Sequence, residues 1–168
     1  MLDLFALLVF AGLLLAAAAC DVARMKIPNA LSAALAAAFV PLAFALRLPV
    51  QDIGLHLLFG ASILLIGYLL FQIKVLGGGD AKLIAAAAVW TGAPAFLYFF
   101  AFTAVAGGVL ALGFIALRLQ FAPANALPAF VNRLLTPGGG LPYGVAIAAG
   151  GIIATQAIPF LSSALTLP

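Results

Sequence analysis

Leu83–Leu117 reads LIAAAAVWTGAPAFLYFFAFTAVAGGVLALGFIAL, 35 residues without a charged side chain. As one helix at 1.5 Å per residue this run would be roughly 52 Å long, whereas the hydrocarbon core of a bilayer is about 30 Å thick and takes about 20 helical residues. Tilt cannot absorb so large an excess, so the chain is expected to turn inside the run, and Gly92-Ala93-Pro94 is the turn signal. The sequence on either side is of the same kind. Leu4–Cys20, Ala30–Leu46, Ile53–Ile73 and Leu134–Pro168 also lack Asp, Glu, Lys and Arg. The whole chain is 67% hydrophobic and 7% charged, against about a quarter charged in a soluble domain. Nothing is left from which to build a polar shell, so the chain reads as a single membrane-embedded domain over residues 1–168.

Spans are expected near Leu2–Cys20, Ala30–Leu46, Ile53–Ile73 and Leu141–Phe160, with a further pair made by the turn at Gly92. The basic residues test this number, because each added span moves everything downstream to the other face. With six spans and the N-terminus outside, Arg24, Lys26, Lys74, Lys82, Arg118 and Arg133 are cytoplasmic and Arg47 alone is external, six against one. With five spans the split falls to four against three. The expected fold is therefore all-α, a polytopic helical bundle of about six transmembrane helices. Gln120–Gly140, with three prolines, reads as a cytoplasmic loop with room for an interfacial helix. The net charge of +3 does not indicate nucleic acid, since the basic residues stand singly between apolar runs and form no patch. Leu13–Cys20 before Asp21 superficially resembles a lipoprotein cleavage site. The N-terminal residues carry Asp3 and no basic residue, however, and the rest of the chain is equally apolar, which argues against a signal peptide.

The chain has no glutamate, and its four carboxylates are Asp3, Asp21, Asp52 and Asp80. Two spans separate Asp21 from Asp80, so both return to the cytoplasmic face, while Asp3 and Asp52 fall on the outer face. One carboxylate pair is thus able to meet. The plain alternative makes Asp80 a cap for a helix beginning at Ala81 and Asp21 an interfacial charge. The surroundings favour chemistry. Asp80 follows Gly77-Gly78-Gly79, a run that is costly in a regular element but permits close backbone approach beside a carboxylate, as a bound extended peptide requires. Two close carboxyl groups cannot comfortably both ionise, so they share a proton. One then activates water as general base while the other protonates a carbonyl oxygen.

Asp21 with its downstream Ile27-Pro28-Asn29, the block Gly77-Gly78-Gly79-Asp80-Ala81-Lys82-Leu83, and the C-terminal Leu141-Pro142-Tyr143-Gly144-Val145-Ala146-Ile147-Ala148 together resemble the type IV prepilin peptidases, which belong with the GxGD intramembrane aspartic proteases. The likeness runs in order along most of the chain and is nearest to the short Tad or Cpa type. It implies Asp21 and Asp80 as catalytic residues, and Gly77, Gly78, Gly79, Lys82, Ile27, Pro28 and Asn29 as the substrate-binding set. It implies no cofactor and no metal. The partners it implies are the lipid bilayer and a prepilin-like membrane protein, whose short leader is cut at the cytoplasmic face of a bacterial inner membrane. The N-terminal insert with paired cysteines found in longer members is missing, so the family's second activity, N-methylation of the new terminus, is not expected.

Other hydrolytic chemistries fit poorly. Cys20 would need a base, and the single histidine, His56, is expected on the outer side of the third span, as an interfacial residue. One histidine and one cysteine do not make a usual zinc set, and neither GxSxG nor HExxH occurs. Two further classes remain: a small proton-coupled transporter or membrane scaffold using the same aspartates, for which midplane charges and inverted repeats would be the sign, and a presenilin-like protease of other membrane substrates.

Overall fold

The long apolar run lies within α4 (Gly78–Gln120), which is interrupted at Gly92, where φ is 59° and ψ is −179°. That left-handed φ costs an L-residue about 1–2 kcal/mol and costs glycine little. Pro94 follows two residues later and can give no backbone donor to the first limb. The chain reverses here. Phe96 packs edge-on against Phe59 with ring centroids 5.1 Å apart, and Phe100 and Ala104 reach one cavity together with Asp80 and Ile84. The second limb, residues 93–120, thus runs back past the start of the first, residues 78–91.

The structure, a computed structural model, describes residues 1–121, 128–136 and 139–164. Besides α4 it contains α1 (Leu2–Arg24), α2 (Asn29–Ala45), α3 (Val50–Gln72), α5 (Ala129–Leu135), α6 (Tyr143–Ala154), a 3₁₀ turn (Thr155–Ala157) and α7 (Pro159–Ser162). Three of these, α1, α3 and α4, are long and apolar enough to cross a membrane. Leu58, Leu65, Leu97, Val105, Val109 and Leu112 all lie exposed on the surface, a covering that lipid solvates and water does not.

Several boundaries differ from the sequence reading. α1 continues past Cys20 to Arg24 and so carries Asp21 inside the helix. α4 starts at Gly78, not at Ala81, with Gly77 as its N-cap. The last long helix ends at Ala154 rather than near Phe160, because Pro159 favours the extended backbone seen at Ile158 (φ −95°, ψ 109°). Within Gln120–Gly140, α5 is a short helix, while residues 122–127 and 137–138 lie outside the described residues.

Three helix ends are closed by left-handed residues other than glycine: Met25, Arg47 and Lys74. After α2, Arg47 N–H donates to Phe44 and Leu48 N–H to Ala43; after α3, Lys74 N–H donates to Phe71 and Val75 N–H to Leu70. Both are Schellman closures. Arg47 and Lys74, singled out in the sequence as topology signals, are therefore also the residues that stop their helices, with a cation placed where the helix dipole favours it.

The core gathers round Trp90, which is fully buried and whose Nε1–H donates to the Leu35 carbonyl at 2.7 Å. Its ring lies 5.1 Å from that of Phe10 and 5.8 Å from that of Phe39. The first limb of α4 is also pinned to α3 by His56, which is half-buried. Its Nδ1 is 2.7 Å from the Val89 carbonyl, one turn before the break, and its ring stacks on Phe39. The bond to a carbonyl places the proton on Nδ1. His56, expected as an interfacial residue, is thus also a clasp on the turn. A Cβ at Gly92 would lie 2.7 Å from the His56 ring. Gly92→Ala is accordingly expected to destabilise the protein by about 1–3 kcal/mol, read as a lower unfolding temperature in detergent. Adding His56→Ala should recover the steric part of that loss and leave the backbone part.

Candidate active site

Asp21 sits in the last turn of α1 and is 6% exposed. Immediately after it, the left-handed Met25 turns the chain, with its N–H donating to the Asp21 carbonyl at 2.7 Å. That turn folds Lys26-Ile27 back across the helix end. Asp80 is the third residue of α4, half-buried. Its carboxyl group folds back over the helix start, so that a Cβ on Gly77 would come within 2.6 Å of Oδ2. Gly77 holds the N-cap position and no side-chain bond caps α4, so Asp80 is not the helix cap that the plain reading of the sequence made it.

Each of the three glycines has a different close neighbour. A Cβ at Gly77 would meet the Asp80 carboxyl, one at Gly78 would lie 3.2 Å from the ring of Phe71, and one at Gly79 would lie 3.3 Å from Ile27. The run is thus a packing requirement, which lets the start of α4 nest between the end of α3 and the turn after α1. Being at a helix start, the N–H groups of Gly78, Gly79 and Asp80 have no partner within the helix.

The two carboxyl groups line one cavity of about 540 Å³ and are close enough for their charges to interact. Ile27, Gly77, Gly78 and Gly79 share it with them. Lys82 does not: its Nζ donates to Asn29 Oδ1 at 2.9 Å, and the two residues line a different groove, between α2, α3 and the first limb of α4. Pro28 is the N-cap of α2 and is likewise outside the cavity wall. Asp3 lies in the first turn of α1, and Asp52 lines a separate cavity with His56 and Gly92. Cys20 is a free, partly buried thiol.

The sequence reading missed the part of the wall contributed by the C-terminal third. Arg133, Gly140 and Leu141 face the same cavity, as do Met25 and Lys26. Arg118 holds this segment in place, donating from Nε to the Leu134 carbonyl at 2.9 Å and from Nη2 to the Gly140 carbonyl at 3.0 Å. Gly144 comes closest to the chemistry. Its N–H donates to Asp21 Oδ2 at 2.8 Å, and a Cβ there would meet that oxygen at 3.0 Å and Ile27 at 3.3 Å. The amide fixes which way the Asp21 carboxyl group points, and the missing side chain lets α6 approach closely enough to do so. Further along, α6 is held against α4 where Gly150 faces Thr103 and Gly107 faces the ring of Tyr143.

Two carboxyl groups from separate helices, one oriented by a peptide N–H and the other at a helix start with free amides, form an arrangement suited to moving protons to and from a water and a carbonyl. Curated proteins and solved structures gave no match to the chain. The profile of the type IV leader peptidase family matches residues 8–112, a stretch that contains both aspartates and the glycine run and stops before Arg133, Leu141 and Gly144. With more than half of its length matched, the chain belongs to the type IV leader peptidase family.

Proposed function

We propose that the protein is an aspartic endopeptidase that removes the short cytoplasmic leader from prepilin-like precursors of the Flp or Tad kind, with Asp21 and Asp80 as its catalytic pair. The observation that carries the reading is the meeting of these two carboxyl groups in one cavity, in a chain whose other two carboxylates, Asp3 and Asp52, lie on other surfaces. In the proposed reaction one aspartate takes a proton from water, which attacks the scissile carbonyl carbon. The other donates its proton to the carbonyl oxygen, giving a tetrahedral diol. As the C–N bond breaks, the first passes the water proton to the departing amine and the second recovers a proton from a diol hydroxyl, so that the pair has exchanged roles and is restored. Gly78 and Gly79 offer amide donors along the bound peptide, and Ile27 and Gly77 form its floor. Lys82 and Asn29 act at one remove, by tying the start of α2 to the first limb of α4.

Six membrane crossings with the N-terminus outside, in a bacterial cytoplasmic membrane, put this cavity at the cytoplasmic face. The reversal at Gly92 supports that count, because it places Asp80 and the end of α1 at one end of the bundle and His56 at the other. In a Cys20→Ser background, cysteines at positions 74 and 133 should be protected from an impermeant thiol reagent added outside, and one at position 47 should react. Equal labelling of all three would contradict the arrangement.

The activity itself is tested with purified protein in detergent and without an ion gradient. Cleavage of a precursor at its leader boundary should proceed in EDTA and with the Cys20→Ser variant. Inactivation by EDTA would point to a metal, and a strict need for a gradient to a transporter.

A further inference from the structure

Asp80 lines a second cavity, of about 430 Å³, on the opposite side from the turn after α1. Gly77, Asp80 and Leu141 belong to the walls of both cavities, so the two adjoin at these residues. Their chemistry differs. The first carries Asp21, Lys26 and Arg133, whereas the second has no charged side chain besides Asp80: it is walled by Leu70 of α3, by Val75 and Leu76 of the turn after it, by Ile84, Phe100 and Ala104 from the two limbs of α4, and by Thr103 and Tyr143. Val75 and Phe100 of its wall are exposed, so it opens to the outside of the bundle, on a limb whose Val105 and Val109 belong to the apolar covering already assigned to lipid.

We propose that this second cavity is a lateral mouth, between the end of α3 and the returning limb of α4, which receives the apolar membrane-embedded segment of the substrate, while the leader lies in the first cavity. The inference rests on the peptidase reading above. A precursor cut just ahead of its hydrophobic helix is polar on one side of the scissile bond and apolar on the other. The two cavities have that same polarity on either side of Asp80. An apolar segment held at the mouth stays in surroundings that do not require its side chains to enter water, and its backbone leaves the helix only where the free amides at the start of α4 can receive it.

Ala104 is exposed at the rim, so a larger side chain there fills the mouth without entering the core. The test compares, for each variant, cleavage of a full membrane-spanning precursor with cleavage of a soluble peptide that ends two residues past the scissile bond and does not occupy the mouth. For Ala104→Trp the ratio of precursor to peptide cleavage is expected to fall at least about tenfold. For Val109→Trp, on the lipid face of the same limb, it should stay at the wild-type value. An unchanged ratio in Ala104→Trp, or an equal fall in Val109→Trp, overturns the lateral mouth. Failure of the wild-type protein to cleave either substrate would instead overturn the peptidase reading.

Discussion

Asp21→Asn and Asp80→Asn are each expected to lower precursor cleavage by about 10²–10⁴-fold, with membrane insertion and yield close to wild type. The amide keeps the size of the carboxyl group and loses the titrating proton. For Asp21 the Gly144 N–H still finds an oxygen acceptor in asparagine, so the packing of α6 on α1 should persist. For Asp80 no capping bond is at stake, since Gly77 holds the N-cap position. Asp3→Asn and Asp52→Asn should retain nearly full activity, because neither lines the cavity shared by the pair. Gel-based cleavage of a precursor in detergent separates these outcomes.

The largest effect on stability is expected at Trp90. Replacement by alanine removes a fully buried indole in contact with Phe10 and Phe39 and leaves the Leu35 carbonyl without its 2.7 Å donor. A loss of about 3–5 kcal/mol follows from the cavity, with the lost bond adding to it. Trp90→Phe keeps most of the volume and should cost less. Thermal unfolding in detergent, followed by the release of helical signal, measures both.

The turn at Gly92 was legible in the sequence because it follows from a length: a charge-free run too long for one crossing must fold, and the glycine and proline mark where. The pairing of Asp21 with Asp80 was legible for a related reason, since counting apolar runs brings those two carboxylates to one end. The part played by the C-terminal third in the wall was not legible, although Leu141 and Gly144 stand in a block that carried the family likeness. Arg133 reaches the Ala23 carbonyl and Gly144 reaches Asp21 across 123 positions, and such contacts leave no periodic or local trace. Lys82 and Asn29 carried a clear motif signal, yet motif spacing does not say which face of a helix a residue will occupy, and their mutual bond turns them away from the cavity. The extra turn of α1 that holds Asp21 likewise escaped a reading based on apolar runs, because Val22-Ala23-Arg24 is helical while its charge ends the run.

Whether Asp21 and Asp80 act as one unit is tested most directly by the double variant Asp21→Asn/Asp80→Asn, assayed beside both single variants with the same precursor under saturating and limiting substrate. Residues of one proton-sharing pair lose nearly everything with the first replacement. The double variant is therefore expected to be no slower than the slower single variant. Losses that multiply between the two positions, or substantial cleavage by correctly inserted Asp80→Asn protein, would contradict the pair.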